Sequence, residues 1–134
     1  MNLNEISNPI KENLKEFDGY FKSILKTNVS LLNVILSYMN KRKGKQIRPV
    51  LVFLSAKLIK DVNQRSMVGA ALVELLHNAT LIHDDVVDDA SERRGIASIN
   101  AEWNNKVAVL VGDFLLSMGL ITASENSEFE FLNT

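Results

Sequence analysis

Residues 65–89 constrain this chain more than any other stretch. From Arg65 to about Asp89 the sequence predicts one long helix, nearly apolar all round in its first half. A helix like that belongs in a core, because a surface helix carries one apolar stripe and one polar face. It then runs into Asp84-Asp85-Val86-Val87-Asp88-Asp89. The first part must be buried among other helices, and the second must come to terms with its own charge.

The neighbouring segments supply the other helices. Asn8 is placed to cap a first helix with Pro9 at its first position, where the missing N–H costs nothing. The apolar stripe of that helix runs through Ile10, Leu14, Phe17, Phe21, Ile24 and Leu25. A second helix covers Leu31 to Met39 and stops in the basic, glycine-containing stretch from Lys41 to Lys45. Pro49 falls in the first turn of a third, ending near Lys60, and Asp61 to Gln64 is a polar break. Ala90 to Ser98 is a polar loop holding Arg93, Arg94 and Gly95. A Val- and Leu-rich helix follows from about Asn105 to Ala123. No strand alternation is evident, so the fold class is all-α, with about five helices in one domain over residues 1–134. Ser127 and Glu130 have the spacing of a capping box, yet only four residues follow Glu130. The chain is therefore expected to be the first part of a larger architecture.

Composition removes some function classes. The formal net charge is −1, so no global field draws the chain to nucleic acid or an anionic membrane. The absence of cysteine excludes disulfides and thiolate metal sites and suits a cytoplasmic setting. No uncharged apolar run approaches the ~20 residues that span a bilayer, so no transmembrane segment is expected. Basic residues do cluster locally, at Lys41-Arg42-Lys43 with Lys45 and Arg48, and at Arg93-Arg94.

On a helix, Asp84 and Asp88 lie on one face, one turn and roughly 6 Å apart. His77 and Thr80 fall near the same line, giving a polar stripe of His77, Thr80, Asp84 and Asp88. Like charges at that spacing destabilise an isolated helix, and the macrodipole disfavours anions at its C-terminal end. A divalent cation offsets both. Hard carboxylate oxygens favour Mg²⁺, or Mn²⁺, over Zn²⁺. A magnesium ion on two carboxylates takes its other ligands from water and phosphate, and phosphate calls for Arg or Lys. Arg93, Arg94, Lys45 and Arg48 are at hand, which points to diphosphate chemistry.

Gly44-Lys45-Gln46-Ile47-Arg48-Pro49, the run Glu74 to Asp88, Arg93-Arg94-Gly95 and Val111-Gly112-Asp113-Phe114-Leu115-Leu116 together resemble the trans-isoprenyl diphosphate synthases, or polyprenyl synthetases, in order and spacing. The resemblance implies the N-terminal part of a helical bundle around a deep apolar cavity. It implies that an allylic diphosphate ionises and that isopentenyl diphosphate adds to the cation with loss of a proton. Position by position, it implies that Lys45, Arg48, His77 and Arg94 hold isopentenyl diphosphate and that Arg93 holds the allylic diphosphate. Asp84 and Asp88 would bind the metal, with Asp85 supporting or joining them. His83 and Asp113 are expected to be structural. The chain departs from the pattern at Lys43 and Gln46, where the family often has glycine and arginine. It also has no second aspartate-rich motif, so by itself it is expected to be inactive, and the full-length protein is expected to be a homodimer.

In the resembled family the product grows beneath the first aspartate motif, over a floor set four and five residues before it. Here these are Thr80 and Ala79, both small, which implies a medium- or long-chain all-trans product. Two other readings compete: a non-catalytic subunit that binds metal and diphosphate, and a terpene cyclase. The cyclase accounts less well for Lys45, Arg48 and Arg94, because it has no second diphosphate to hold.

Overall fold

The computed structural model describes residues 2–41 and 44–133. Arg42 and Lys43, part of the first basic cluster, lie outside the described residues, as does the departure noted at Lys43. The fold is all-α, with five long helices: α2 (Lys11–Ile24), α3 (Ser30–Lys41), α4 (Ile47–Ile59), α5 (Gln64–Val87) and α7 (Asn105–Glu125). Short helices α1 (Leu3–Ser7), α6 (Ile99–Glu102) and α8 (Phe129–Leu132) fill the ends and connections.

Several boundaries differ from the sequence expectation. The chain enters helix earlier, because Asn2 and Glu5 form a reciprocal capping box before α1. Asn8 therefore starts no helix as a cap but closes α1, its N–H donating to Glu5 O, and Asn8–Ile10 is a 3₁₀ turn, with Pro9 inside it, that bends the chain into α2. The expected polar loop contains a two-stranded hairpin, β1 (Glu92–Arg93) and β2 (Ile96–Ala97). Ser127 and Glu130 do not form a capping box. Ser127 instead sits at φ 55°, its N–H donating to Ser124 O, while Glu128 N–H donates to Ala123 O at 2.8 Å. That is a Schellman closure of α7, so the serine ends one helix instead of starting the next. Arg65 then ties α8 down, reaching Glu128 at 3.0 Å and Glu130 at 3.2 Å, with Phe131 beneath its guanidinium.

α5 starts from a box in which Asn63 and Ser66 cap each other, and α7 packs along most of its length. Their interface joins Leu75, Ala79 and Ile82 to Ala108, Val111 and Leu115, with Ile35 of α3 completing the cluster. A second cluster sets Ile10 and Phe17 against Val50 and Phe53 of α4 and Met67, Ala70 and Ala71 of α5. The expected stripe of α2 thus reads out as buried Ile10 and Phe17, with Leu14, Phe21, Ile24 and Leu25 packed beside the two clusters. By length and composition α7 is apolar enough to cross a membrane, and part of it is buried within the fold. Asp113 interrupts it, which is why no uncharged run of that length appears in the sequence.

Candidate functional site

Between α2, α3 and α5 lies a cavity of about 800 Å³. Part of its wall is apolar, from Phe21, Leu25, Leu36, Leu81, Ile82 and Leu115. Its head is charged: Lys45 and Arg48 at the start of α4, His77 and Asp85 on α5, and Arg93 and Arg94 on the hairpin all face it. Segments far apart in sequence bring these groups together because α4 and α5 pack as neighbours and the hairpin folds back across the end of α5.

The end of α5 is built around one backbone device. Asp88 caps the helix, Asp89 adopts φ 52°, and Ala90 N–H donates to Asp85 O at 2.9 Å while Asp89 N–H donates to Val86 O. This Schellman closure reverses the chain, a job glycine usually does. The chain then enters the hairpin, whose two central residues, Arg94 at φ 55° and Gly95 at φ 75°, both lie in the left-handed region. Such turns match the twist of two short strands. Glycine takes that conformation without cost, whereas arginine pays for it, and local strain of this kind concentrates at functional sites.

The hairpin delivers Arg93 to Asp85. The guanidinium donates from its Nε to both carboxylate oxygens, at 3.2 and 3.1 Å, and from a terminal nitrogen to Oδ1 at 2.6 Å. Asp85 is buried, with a side chain 8% exposed, and Arg93 keeps 34% of its surface open. The bond to Asp85, opposed by burial and helped by the charges of Asp85, Asp84 and Asp88, holds the Arg93 pKa above its ordinary value. All three carboxylates therefore act on one guanidinium.

Across the cavity Arg48 donates to Glu74 at 3.0 Å. His77 lines the same cavity as the two pairs. Burial pushes its pKa below 6.5, as does the Arg48 charge; Glu74 opposes, and Arg93 and Arg94 push down again. Arg94 arches over Gly44, where even a methyl group on the glycine would overlap the guanidinium. Gln46, left-handed at φ 52°, donates to Asp18 Oδ1 at 2.9 Å and so anchors the start of α4 to α2.

The polar stripe expected on α5 divides in two. The cavity face carries Glu74, His77, Asn78, Leu81 and Asp85, while Thr80, Asp84 and Asp88 are exposed beside it. Ala79 is buried in the α5–α7 core, and neither it nor Thr80 lines the cavity. His83 packs over Gly112 and lies 3.3 Å from both Asp113 Oδ1 and Val109 O, joining α5 to α7. Sequence reasoning missed Glu74, although it lies three residues before His77 on the same face. It also missed Asn100, which no local pattern marks.

Among the described residues no group of three or more His, Asp or Glu stands together as a metal cage. Asp84 and Asp88 still fit a hard cation, since magnesium commonly takes one or two carboxylates and completes its shell with water and phosphate. Asp85 is engaged by Arg93 and fits a supporting place.

Comparison with known proteins follows the same lines. Residues 29–134 match the family model described as Polyprenyl synthetase. An all-trans-nonaprenyl-diphosphate synthase from Rhodobacter capsulatus is 37% identical over 84% of this chain and 35% of its own length. A geranylgeranyl diphosphate synthase from Saccharolobus solfataricus is 35% identical over 84% of the chain and 32% of its own length. The crystal structure of a polyprenyl synthase from Caulobacter crescentus CB15, complexed with calcium and isoprenyl diphosphate, superposes with a TM-score of 0.89 at 26% identity. That match covers 98% of this chain and 40% of the other. The chain thus spans about a third of the length of the curated relatives it matches.

Proposed function

The chain belongs to the polyprenyl synthetase family, and from that premise we propose that the full-length protein is a trans-prenyltransferase joining isopentenyl diphosphate to an allylic diphosphate. The observation that carries this reading is the cavity itself, with Lys45, Arg48, His77, Arg93 and Arg94 at the head of a largely apolar pocket. Cations at the head suit diphosphate, and the apolar wall suits a prenyl tail.

In this reading Lys45, Arg48, His77 and Arg94 hold isopentenyl diphosphate. Arg93, kept in place by Asp85, faces the allylic diphosphate. Mg²⁺, or Mn²⁺, held by Asp84 and Asp88 would neutralise charge on the departing diphosphate. As the allylic C–O bond breaks, Arg93 stabilises the developing charge from a fixed position. Leu81, Ile82 and Leu115 keep water from the allylic cation until isopentenyl diphosphate adds and a proton is lost. The 134-residue chain alone is proposed to lack turnover, because it carries no second aspartate-rich motif to complete the metal shell. The exposed apolar side chains Leu110, Leu116 and Leu120 of α7 support a homodimer of the full-length protein.

The test is condensation by purified full-length protein with Mg²⁺, read by mass spectrometry of the prenyl products. Products longer than the allylic starter, appearing only when isopentenyl diphosphate is present, are expected. Conversion of the allylic diphosphate without isopentenyl diphosphate would replace this reading with cyclisation. Binding of both diphosphates without turnover would favour the non-catalytic subunit.

The proposal extends to a medium- or long-chain all-trans product; it rests on the small side chains at Ala79 and Thr80, of which Thr80 stands exposed one turn before Asp84, although neither lines the cavity described above. Ala79 is too tightly packed for a clean test, since overpacking a core costs about 1–3 kcal/mol. Thr80 is exposed, so Thr80→Phe in the full-length enzyme should shorten the product. Unchanged product length would sink the idea.

A further inference from the structure

The acidic turn is held from outside its own helix. Asn100, in α6, donates from Nδ2 to Ala90 O at 2.8 Å and, more weakly, to Asp85 O at 3.5 Å. Ser98 Oγ donates to the same Ala90 O at 2.7 Å. Both groups facing the carboxamide are carbonyls, so the nitrogen must point at them; the reversed amide would set oxygen against oxygen. Asn100 Oδ1 then turns the other way, buried and without a protein partner among the described residues. Asn100 lines the same cavity as Asp85 and Arg93.

We propose that Asn100 is a positioning residue for the acidic motif: by clamping the carbonyls of Asp85 and Ala90, which bracket residues 86–89, it fixes the turn that presents Asp84 and Asp88. The inference rests on reading Asp84 and Asp88 as the ion-holding carboxylates. Four like charges crowd the negative end of a helix dipole here, and Asp89 is held left-handed without glycine's freedom. Both features favour fraying of the last turn. Fraying would carry Asp88 and Asp89 away from Asp84 and loosen Asp85 from Arg93. A donor reaching in from α6 resists this, because it does not depend on the helix's own terminal hydrogen bonds.

The experiment uses the full-length protein without substrate. Mn²⁺ binding is followed by electron paramagnetic resonance, and hydrogen exchange is followed at the Ala90 amide, which donates to Asp85 O. Asn100→Leu keeps the volume and removes the donor. It should speed Ala90 exchange and weaken Mn²⁺ about tenfold, the usual effect of losing a residue that orients a metal ligand. Asn100→Gln, which keeps the carboxamide, should recover part of both. Should Asn100→Leu fail to fold, Asn100→Ser in an Asp89→Gly background gives the same two readings with the left-handed strain relieved. Faster Ala90 exchange with Mn²⁺ affinity within twofold of the parent would overturn the proposal and leave Asn100 a purely structural residue. Asp84→Asn and Asp88→Asn serve as controls. If they abolish Mn²⁺ binding while Asn100→Leu leaves it unmoved, only the Asn100 proposal fails. If they too leave binding unmoved, the ion-holding reading fails and takes the Asn100 proposal with it.

Discussion

Removing Arg93 should cost more than removing its partner Asp85, although the two share the same bonds. Arg93→Leu strands a carboxylate whose side chain is 8% exposed, whereas Asp85→Leu strands a guanidinium that is 34% exposed and can turn further into the open cavity. Breaking a fully buried pair by taking one partner costs about 3–5 kcal/mol, and an exposed pair is worth about 0–1 kcal/mol. The pair falls between these limits, since one member is buried and the other keeps a third of its surface in water. We expect about 2–3 kcal/mol for Arg93→Leu, after discounting for that exposure, and about 1 kcal/mol for Asp85→Leu. The double replacement should cost less than Arg93→Leu alone, because two apolar side chains leave no charge stranded. Urea unfolding of the full-length protein, followed by circular dichroism, gives the three values. Equal costs for the two single replacements would refute the reasoning. They would mean that Asp85 reaches water when Arg93 is gone and is not buried in any energetic sense.

Gly44→Ala should move Arg94 and not the backbone, since the overlapping group is the end of a long side chain. The KM for isopentenyl diphosphate is expected to rise about tenfold or more, as for loss of one charge-assisted hydrogen bond, with the thermal midpoint little changed; an unchanged KM would remove Arg94 from that role. Asp89→Gly should stabilise the protein by about 0.5–1 kcal/mol, because Asp89 sits at φ 52° where glycine pays no Cβ penalty; a lower urea midpoint would contradict this. His77 should titrate below 6.5 in the free protein by imidazole NMR, and added diphosphate should raise that midpoint by placing an anion beside it. Its depressed pKa means that the folded state prefers the neutral ring, so this contribution to stability is full above 6.5 and is lost as the pH falls through the His77 midpoint; destabilisation appearing only on raising the pH would have the wrong sign.

What could be read from sequence follows from the range of the forces involved. Helix periodicity is local, so the long helices α2, α3, α4, α5 and α7 were legible, with ends misplaced by a residue or several. The acidic motif and the cations were legible as residue types. Their partners were not, because pairing is decided by packing. Arg48 meets Glu74 only because α4 lies on α5, and Arg93 meets Asp85 only because Asp89 reverses the chain. The helical wheel also placed His77 with Asp84 and Asp88. The folded chain keeps His77 in the cavity but joins it there to Glu74 and Asp85, which are eleven residues apart and so about 20° from alignment, and leaves Asp84 and Asp88 exposed. Ser127 shows the same limit at a helix end: a Schellman closure and an N-cap both use small polar residues, and only the backbone distinguishes them.

The cations at the cavity head fall into two electrostatic kinds, and the difference bears on what the cavity can select. Arg48 and Arg93 are already neutralised, by Glu74 at 3.0 Å and Asp85 at 2.6 Å. Lys45 and Arg94 form no ion pair among those resolved in the described residues, and burial and the cations around it lower the His77 pKa. An incoming anion therefore meets Lys45 and Arg94 at little cost, but must compete with a carboxylate for Arg48 or Arg93. Pre-pairing keeps this group of cations from carrying a large uncompensated positive charge, and it holds each guanidinium in a defined orientation. It also raises the charge a ligand needs to engage all of them. A diphosphate, with several oxygens to distribute over the cluster, meets that demand better than a single phosphate or a carboxylate. On the proposed reading, the half-buried Glu74 and the buried Asp85 would take part in anion selection alongside the cations they hold.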